Sequence, residues 1–138
     1  MREILYKGKP KNELIDWVYG YYFYSELTCK HYIMGESKDY GYTCIEVIPE
    51  TVGQYTELND KNGTKIFEGD IVKYNLYVNG DITEEKETVR YSEYTADYSP
   101  FSSAYSCDGC CCGVAIEETE VIGNIHDNPE LFHTEDSL

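Results

Sequence analysis

Apolar and polar side chains alternate along residues 71–78, IVKYNLYV, and this period of two is the pattern of a β-strand with one buried face. Val72, Tyr74, Leu76 and Val78 would form its core face. An Asn-Gly pair follows at 79–80, and tight hairpin turns favour this pair. We therefore predict a hairpin in which residues 70–78 pair with a strand within 82–91.

A second turn signal, DKNG at residues 60–63, separates two β-like runs at 55–59 and 64–67. A two-residue turn of the primed type needs positive φ at its central residues, which Asn and Gly tolerate best, so these runs are predicted to pair. Gly69 can then adopt a left-handed conformation and reverse the chain again. The stretch 49–74 thus organises the fold.

Aromatic residues dominate the pattern nearer the N-terminus. After a short strand at residues 3–7, the run 16–24 alternates with period two, which predicts a half-buried or doubly covered strand. One face of that strand would carry Trp17, Tyr19, Tyr21 and Phe23. Residues 31–34 and 42–48 are predicted to form an antiparallel pair that Pro49 ends.

The C-terminal part contains weaker signals. Residues 92–112 show no periodicity and are interpreted as a long loop or an irregular hairpin end. Strands are predicted at 114–116 and 120–125, with Gly123 suited to a bulge.

A short helical turn is predicted to close the fold. Asn128 is a good N-cap and Pro129 suits the first helical position, so a single turn should dock Leu131 and Phe132.

Several of these motifs, in this order, resemble the YopX family of phage- and prophage-encoded proteins. They are GQYT at 53–56, DKNG at 60–63, KIFEGDIV at 65–72 and EVIGNIHDNPEL at 120–131, and residues 2–9 and 17–22 fit the same pattern. Residues 81–113 show nothing that matches. The motif positions, which we interpret as structural, are Gly53, Gln54, Tyr55, Asp60, Asn62, Gly63, Phe67, Glu68, Gly69, Asp70, Gly123, Asn124, Asp127, Asn128 and Pro129.

The resemblance implies a mostly β fold containing a small antiparallel SH3-like barrel, here with an N-terminal β (α+β) extension. It implies no activity, because the function of the family is unassigned. We predict a single domain over 1–132, with an N-terminal part at 1–54, the barrel part at 55–132 and a flexible tail at 133–138. Neither a membrane span nor a signal peptide is indicated, so a cytoplasmic location in a bacterial host cell is expected.

The formal net charge is −15, and all 11 Lys and Arg residues lie within residues 1–90. Nucleic-acid binding depends on clustered cations that displace counterions from phosphates, so this charge disfavours it. An alternative is a small barrel that binds nucleic acid through Lys61, Lys65 and Lys73. The acidity is also explained without any partner, as the surface of a soluble protein.

Tyrosine keeps a protein-binding function open, since it offers a large contact area at low entropic cost. The partner would be a host or phage protein. In one version of this hypothesis, the acidic face imitates nucleic acid and occupies a basic site on the partner. Homo-oligomerisation is also compatible with such a surface. Ordinary sheet packing is the alternative for each tyrosine. The candidate surface comprises Tyr91, Tyr94, Tyr98, Tyr105, Glu117, Glu118 and Glu120.

The cysteines are the remaining candidates for chemistry. Cys107 and Cys110 have the spacing of one zinc-ligand pair, but a second pair is missing unless Cys29, Cys44 or His126 converge on them through folding. Free thiols are therefore favoured, and we expect neither a metal nor a cofactor.

Catalytic motifs are absent from the sequence. None of His31, His126 and His133 has a spaced partner, and the glycines form no phosphate-binding pattern. A non-enzymatic protein is predicted.

Overall fold

The computed structural model of the chain describes residues 3–37, 41–93, 96–101 and 113–131. Within these ranges the protein is mostly β, and its paired strands are antiparallel, as predicted. The chain divides into two compact units, Met1–Tyr55 and Thr56–Leu138.

A single antiparallel sheet forms the first unit. Its strands lie in the order β4-β3-β2-β1, and β1 also pairs with the start of β5. A 3-10 turn at Pro49–Thr51 follows β4, so Pro49 ends the strand pair as predicted. The strands are β1 (Tyr6–Gly8), β2 (Val18–Ser25), β3 (Lys30–Ser37), β4 (Gly41–Glu46) and β5 (Gly53–Asn59).

The core of the first unit lies against one face of this sheet. Val18, Ile33 and Val47 are fully buried there, and Ile45 is nearly so. On β2, buried and exposed residues alternate from Val18 to Tyr21, so the strand is half-buried. The outer side chains of β2 therefore remain at the surface.

Two glycines allow β2 and β3 to approach closely. Gly20 and Gly35 lie directly opposite each other in the register. A Cβ at Gly20 would collide with the carbonyl oxygen of Met34 and lie 2.8 Å from the Gly35 Cα, and a Cβ at Gly35 would collide with the carbonyl oxygen of Tyr19. The pairing therefore requires that neither position carry a side chain.

The second unit is built around the long strand β7. One edge of β7 pairs with β8, and the other edge pairs with β12 and β11. The later part of β5 pairs with β6, and β9 and β10 form a hairpin. The strands are β6 (Lys65–Phe67), β7 (Asp70–Val78), β8 (Asp81–Thr88), β9 (Arg90–Ser92), β10 (Asp97–Ser99), β11 (Gly113–Val114) and β12 (Glu120–Asn124).

The core of the second unit confirms part of the predicted β7 face. Val72 and Tyr74 are buried together with Ile66 and Val89. Leu76 is only partly buried, and Val78 is 43% exposed, because the strand extends beyond the core toward its turn.

Both predicted hairpins are present, but only one has the predicted turn. Asn79 and Gly80 have φ values of 51° and 91°, as a primed turn requires. In the loop of the other hairpin, residues 60–64, only Gly63 has positive φ, at 82°, and the Asp60 N–H donates to the Thr64 carbonyl oxygen across this longer loop. Asn62 keeps negative φ because the Asp60 carboxylate binds its N–H at 2.9 Å and fixes this geometry.

The described strands are not closed into a barrel, which corrects the prediction of a closed SH3-like barrel. Among the described residues, β8 pairs only with β7. Its first five residues, Asp81 to Glu85, are exposed. Apart from Ile82, which is itself exposed, their side chains are polar or charged, so this part of the strand has no continuous apolar face of the kind that a closed barrel buries.

We expect Gly20→Ala to lower the free energy of unfolding of the first unit by about 3 kcal/mol, because the new methyl group must push two strands apart. Urea unfolding followed by the fluorescence of Trp17, the single tryptophan, measures this loss.

Gly41→Ala is the matched control, since Gly41 has a φ of 71° and no atom within 4 Å of an added Cβ. It should cost only the left-handed strain, about 1 kcal/mol. Equal losses in both variants would contradict the close-approach explanation.

Candidate functional site

The predicted acidic and aromatic surface is only partly assembled. Tyr91 and Tyr98 face each other across the β9–β10 hairpin, with ring centroids 5.3 Å apart. Tyr91 is 46% exposed, whereas Tyr98 packs against the core. Tyr94 and Tyr105 lie outside the described residues. Tyr98 is therefore chiefly a packing residue, and Tyr91 remains a surface candidate.

Two of the three predicted carboxylates have partners within the second unit. Tyr77 Oη donates to Glu118 Oε2 at 2.6 Å, and Asn75 Nδ2 donates to the same oxygen at 3.1 Å. These hydrogen bonds, the Tyr77 bond first, lower the pKa of Glu118, while the bond to Glu118 raises the pKa of Tyr77. Glu120 lies 3.3 Å from Lys61 Nζ, and Glu117 is exposed.

Lys61 and Lys73, which belong to the nucleic-acid alternative, lie beside acids. Lys61 pairs with Glu120, and Lys73 Nζ lies 4.0 Å from Glu84. Lys65 is exposed on β6. The neighbouring carboxylates offset the positive charge at Lys61 and Lys73.

Asp60 joins three segments of the second unit. Its Oδ1 accepts the N–H groups of Asn62 and Thr64, each at 2.9 Å, and its Oδ2 accepts the N–H of Val121 at 2.9 Å. Burial, which leaves Asp60 7% exposed, would raise its pKa, but these three donors and the nearby Lys61 ammonium lower it below the usual value. Asp60 is thus a structural anchor that links the β5–β6 hairpin to β12.

Residues 67–70 of the KIFEGDIV motif close a tight turn. Asp70 Oδ2 accepts the Phe67 N–H at 2.8 Å, and both residues are buried. Gly69, with a φ of 95°, donates its N–H to the Val89 carbonyl and accepts the N–H of Ile125. This backbone conformation favours glycine. The turn therefore holds the chain beside residues 89 and 125.

The motif at residues 120–131 forms a network of asparagine hydrogen bonds around a bulge. The strand register shifts between Val121 and Gly123, which confirms the predicted bulge. Asn124 Oδ1 accepts the N–H groups of His126 and Asp127, and a Cβ at Gly123 would lie 2.6 Å from Asn128 Oδ1.

Asn128, the predicted N-cap, lies directly before the terminal helical turn. Its Oδ1 accepts the N–H of Asn124, at 3.2 Å, because the side chain turns back toward the strand. A helical turn does follow, in which the Leu131 N–H donates to the Asn128 carbonyl at 3.1 Å. Phe132 lies outside the described residues.

The remaining motif positions also occupy structural places. Gly53 and Gln54 pair with β1, and the Tyr55 N–H donates to the Leu5 carbonyl. Glu68 is half-buried in the turn before β7, and Pro129 is exposed beside the terminal turn.

A surface that the sequence did not single out is the outer face of the first sheet, which we call the open aromatic face. The strand register places Tyr21 beside Met34 and Cys44, and Phe23 beside Tyr32. Phe23 and Tyr32 stack with ring centroids 5.3 Å apart. The exposed members of this face are Tyr19, Tyr21, Phe23, Met34, Tyr42 and Cys44.

A cleft of about 570 Å³ lies at one end of the open aromatic face. Its aromatic walls come from Trp17, Tyr19, Tyr21 and Tyr42. Asp16 and Glu36 add two carboxylates to the lining. The alternating aromatic residues of 16–24 were the signal for this surface in the sequence. Alternation alone does not show which face of a strand is covered by the core.

The groups considered for metal or catalytic chemistry are dispersed. The described residues hold no cluster of three His, Cys, Asp or Glu side chains arranged for a metal ion, and Cys107 and Cys110 lie outside them. Cys29 and Cys44 are free thiols. His31 Nδ1 is 2.6 Å from Tyr22 Oη and packs between aromatic rings. No helix in the described part of the chain has the length and hydrophobicity that crossing a membrane requires.

Comparison with known proteins identifies the family. The model of the family described as "YopX protein" matches residues 10–133, which is most of the chain. The chain belongs to the YopX family. The YopX match includes residues 81–113, where the sequence showed no family motif. It does not include residues 2–9, which fitted the family pattern. No curated protein matches this YopX chain.

For this YopX protein we expect Asp60→Asn to lower the free energy of unfolding of the second unit by about 2 kcal/mol, because an amide NH₂ cannot accept the N–H bonds that a carboxylate accepts. Urea unfolding followed by circular dichroism measures the loss. Asp81→Asn, at an exposed position on β8, should change it by less than about 0.5 kcal/mol.

The same carboxylate should make stability depend on pH. Because the folded-state pKa of Asp60 is lowered, its contribution is complete above the ordinary Asp pKa and is lost as the pH falls through the lowered one. The difference in unfolding free energy between the unsubstituted protein and Asp60→Asn should therefore shrink as the pH falls. A constant gap would contradict the anchor role of the ionised carboxylate.

Proposed function

We propose that this protein is a non-enzymatic protein-interaction module and that its open aromatic face is the contact surface. The observation that carries the proposal is the exposure of aromatic and Met side chains on one sheet face, with Tyr21 62% and Tyr42 67% exposed. Contiguous apolar surface of this kind is uncommon outside interaction sites, and Tyr and Met are enriched in the centres of interfaces.

A protein partner is favoured over nucleic acid by the charges. The net charge of −15 repels phosphates, and Lys61 and Lys73 lie beside carboxylates. The same charge would speed the approach of a basic protein, so exposed acids such as Glu117 act in steering. A phage or prophage origin and an SH3-like architecture in the second unit are expectations from the family resemblance, and a cytoplasmic location remains the expectation drawn from the sequence.

The proposal is tested by isolating the partner from host cells, purifying it and measuring its affinity by calorimetry. Tyr21→Ser with Tyr42→Ser should weaken binding at least about tenfold, since exposed interface tyrosines are frequent hot spots. Tyr91→Ser is the matched control, because it removes a comparably exposed tyrosine from the second unit. It should change the affinity less than about twofold.

The opposite pattern, in which Tyr91→Ser abolishes binding and the double variant does not, would move the contact surface to the second unit. Tight, salt-sensitive binding of the purified protein to duplex DNA would instead support the nucleic-acid alternative through Lys61, Lys65 and Lys73.

A further inference from the structure

We propose that the cleft at the Tyr19 end of the open aromatic face binds one cationic side chain of the partner, an arginine guanidinium by preference. This inference rests on the proposed function and specifies the chemistry that the surface recognises. It is carried by the combination of aromatic walls and two carboxylates in one cleft.

The strand register places the necessary groups side by side. Tyr19 on β2 is directly opposite Glu36 on β3, which is directly opposite Tyr42 on β4. A carboxylate therefore lies between two tyrosines in one row across the sheet. Tyr21 stands in the next row, and Asp16 lies at the chain entry to β2.

Gly20 and Gly35 allow this row to form. Because neither residue has a side chain, β2 and β3 can approach closely at the position that underlies the cleft, and both glycines contribute to its lining. The backbone of these two glycines thus forms part of the cleft surface, and the tyrosine side chains form its walls.

The chemistry of this lining selects a cation. Aromatic rings attract cations through the negative charge of their faces, and a carboxylate pairs with a guanidinium in a bidentate geometry. The described lining includes Asp16 and Glu36 but no Lys or Arg. At the far end of the same face, by contrast, Glu46 lies between Lys11 and Lys30, at 3.0 Å and 3.7 Å.

An example of cation–π contact already exists beside the cleft. Lys7 Nζ lies 4.9 Å from the centroid of the Trp17 ring, and Lys7 is only 7% exposed. Lys7 lies directly opposite Tyr19 in the register and occupies the Trp17 ring without lining the cleft, so an incoming cation would meet the tyrosine rings and the carboxylates. A planar guanidinium suits this setting better than an ammonium, because it can stack on a ring and pair with a carboxylate at once.

Trp17 is the single tryptophan and lines the cleft, so its fluorescence reports occupancy. The intact protein is titrated with acetyl-Gly-Arg-Gly-amide and with the same peptide containing citrulline, which keeps the shape of arginine but has no charge. The arginine peptide should change the fluorescence saturably and bind at least about fivefold more tightly than the citrulline peptide. Calorimetry repeats the comparison without relying on the indole.

Glu36→Gln removes one carboxylate from the exposed surface of β3 and should weaken arginine-peptide binding about three- to tenfold. Glu85→Gln is the control, because it makes the same change in net charge at an exposed position of the second unit. It should leave binding unchanged. Equal binding of the citrulline peptide, or equal loss in the two variants, would overturn the proposal.

The two proposals can fail separately. If the arginine peptide does not bind but Tyr21→Ser with Tyr42→Ser still abolishes partner binding, the cationic specificity is wrong and the contact surface stands. If the arginine peptide binds with the expected specificity while the double variant leaves partner binding unchanged, the cleft stands and the proposed function is wrong.

Discussion

The second unit depends on one buried carboxylate more than on any other single group. Asp60 accepts three backbone N–H bonds, two from its own hairpin and one from Val121, which is 61 residues away along the chain. Short sheets have few pairings with which to fix the position of distant segments, and a charged acceptor makes stronger hydrogen bonds than a neutral one. The hairpin and the closing strand are held together at this point.

The same principle explains why most of the family-motif positions are structural. Asp70 closes the turn before β7, and Asn124 and Asn128 satisfy the backbone around the bulge at Gly123. Each side chain supplies an acceptor where the chain leaves regular pairing, and buried backbone donors need such partners. These residues are therefore poor candidates for a binding site, and surfaces whose side chains have no such structural role are better candidates.

The first unit offers such a surface because its core covers only one side of the sheet. Val18 and Ile33 are buried on that side, while Tyr21 and Tyr42 stand on the other. In residues 91–138, which contain no Lys or Arg, Glu118 and Glu120 are occupied by contacts within the second unit. Part of the acidic charge there is therefore engaged in contacts within the second unit, whereas the open aromatic face and its cleft are accessible.

The sequence by itself determined the elements that local rules govern. Period-two alternation located β2 and β7, and Asn79-Gly80 and Gly123 marked a turn and a bulge, because these features depend on neighbouring residues only. Only the tertiary structure decided which face of β2 is covered, that β8 leaves the sheet open, and that Glu118 meets Tyr77 from 41 residues away. Alternation is symmetric between the two faces of a strand, so the covered face and the partners of distant side chains are set by packing between segments far apart in the chain.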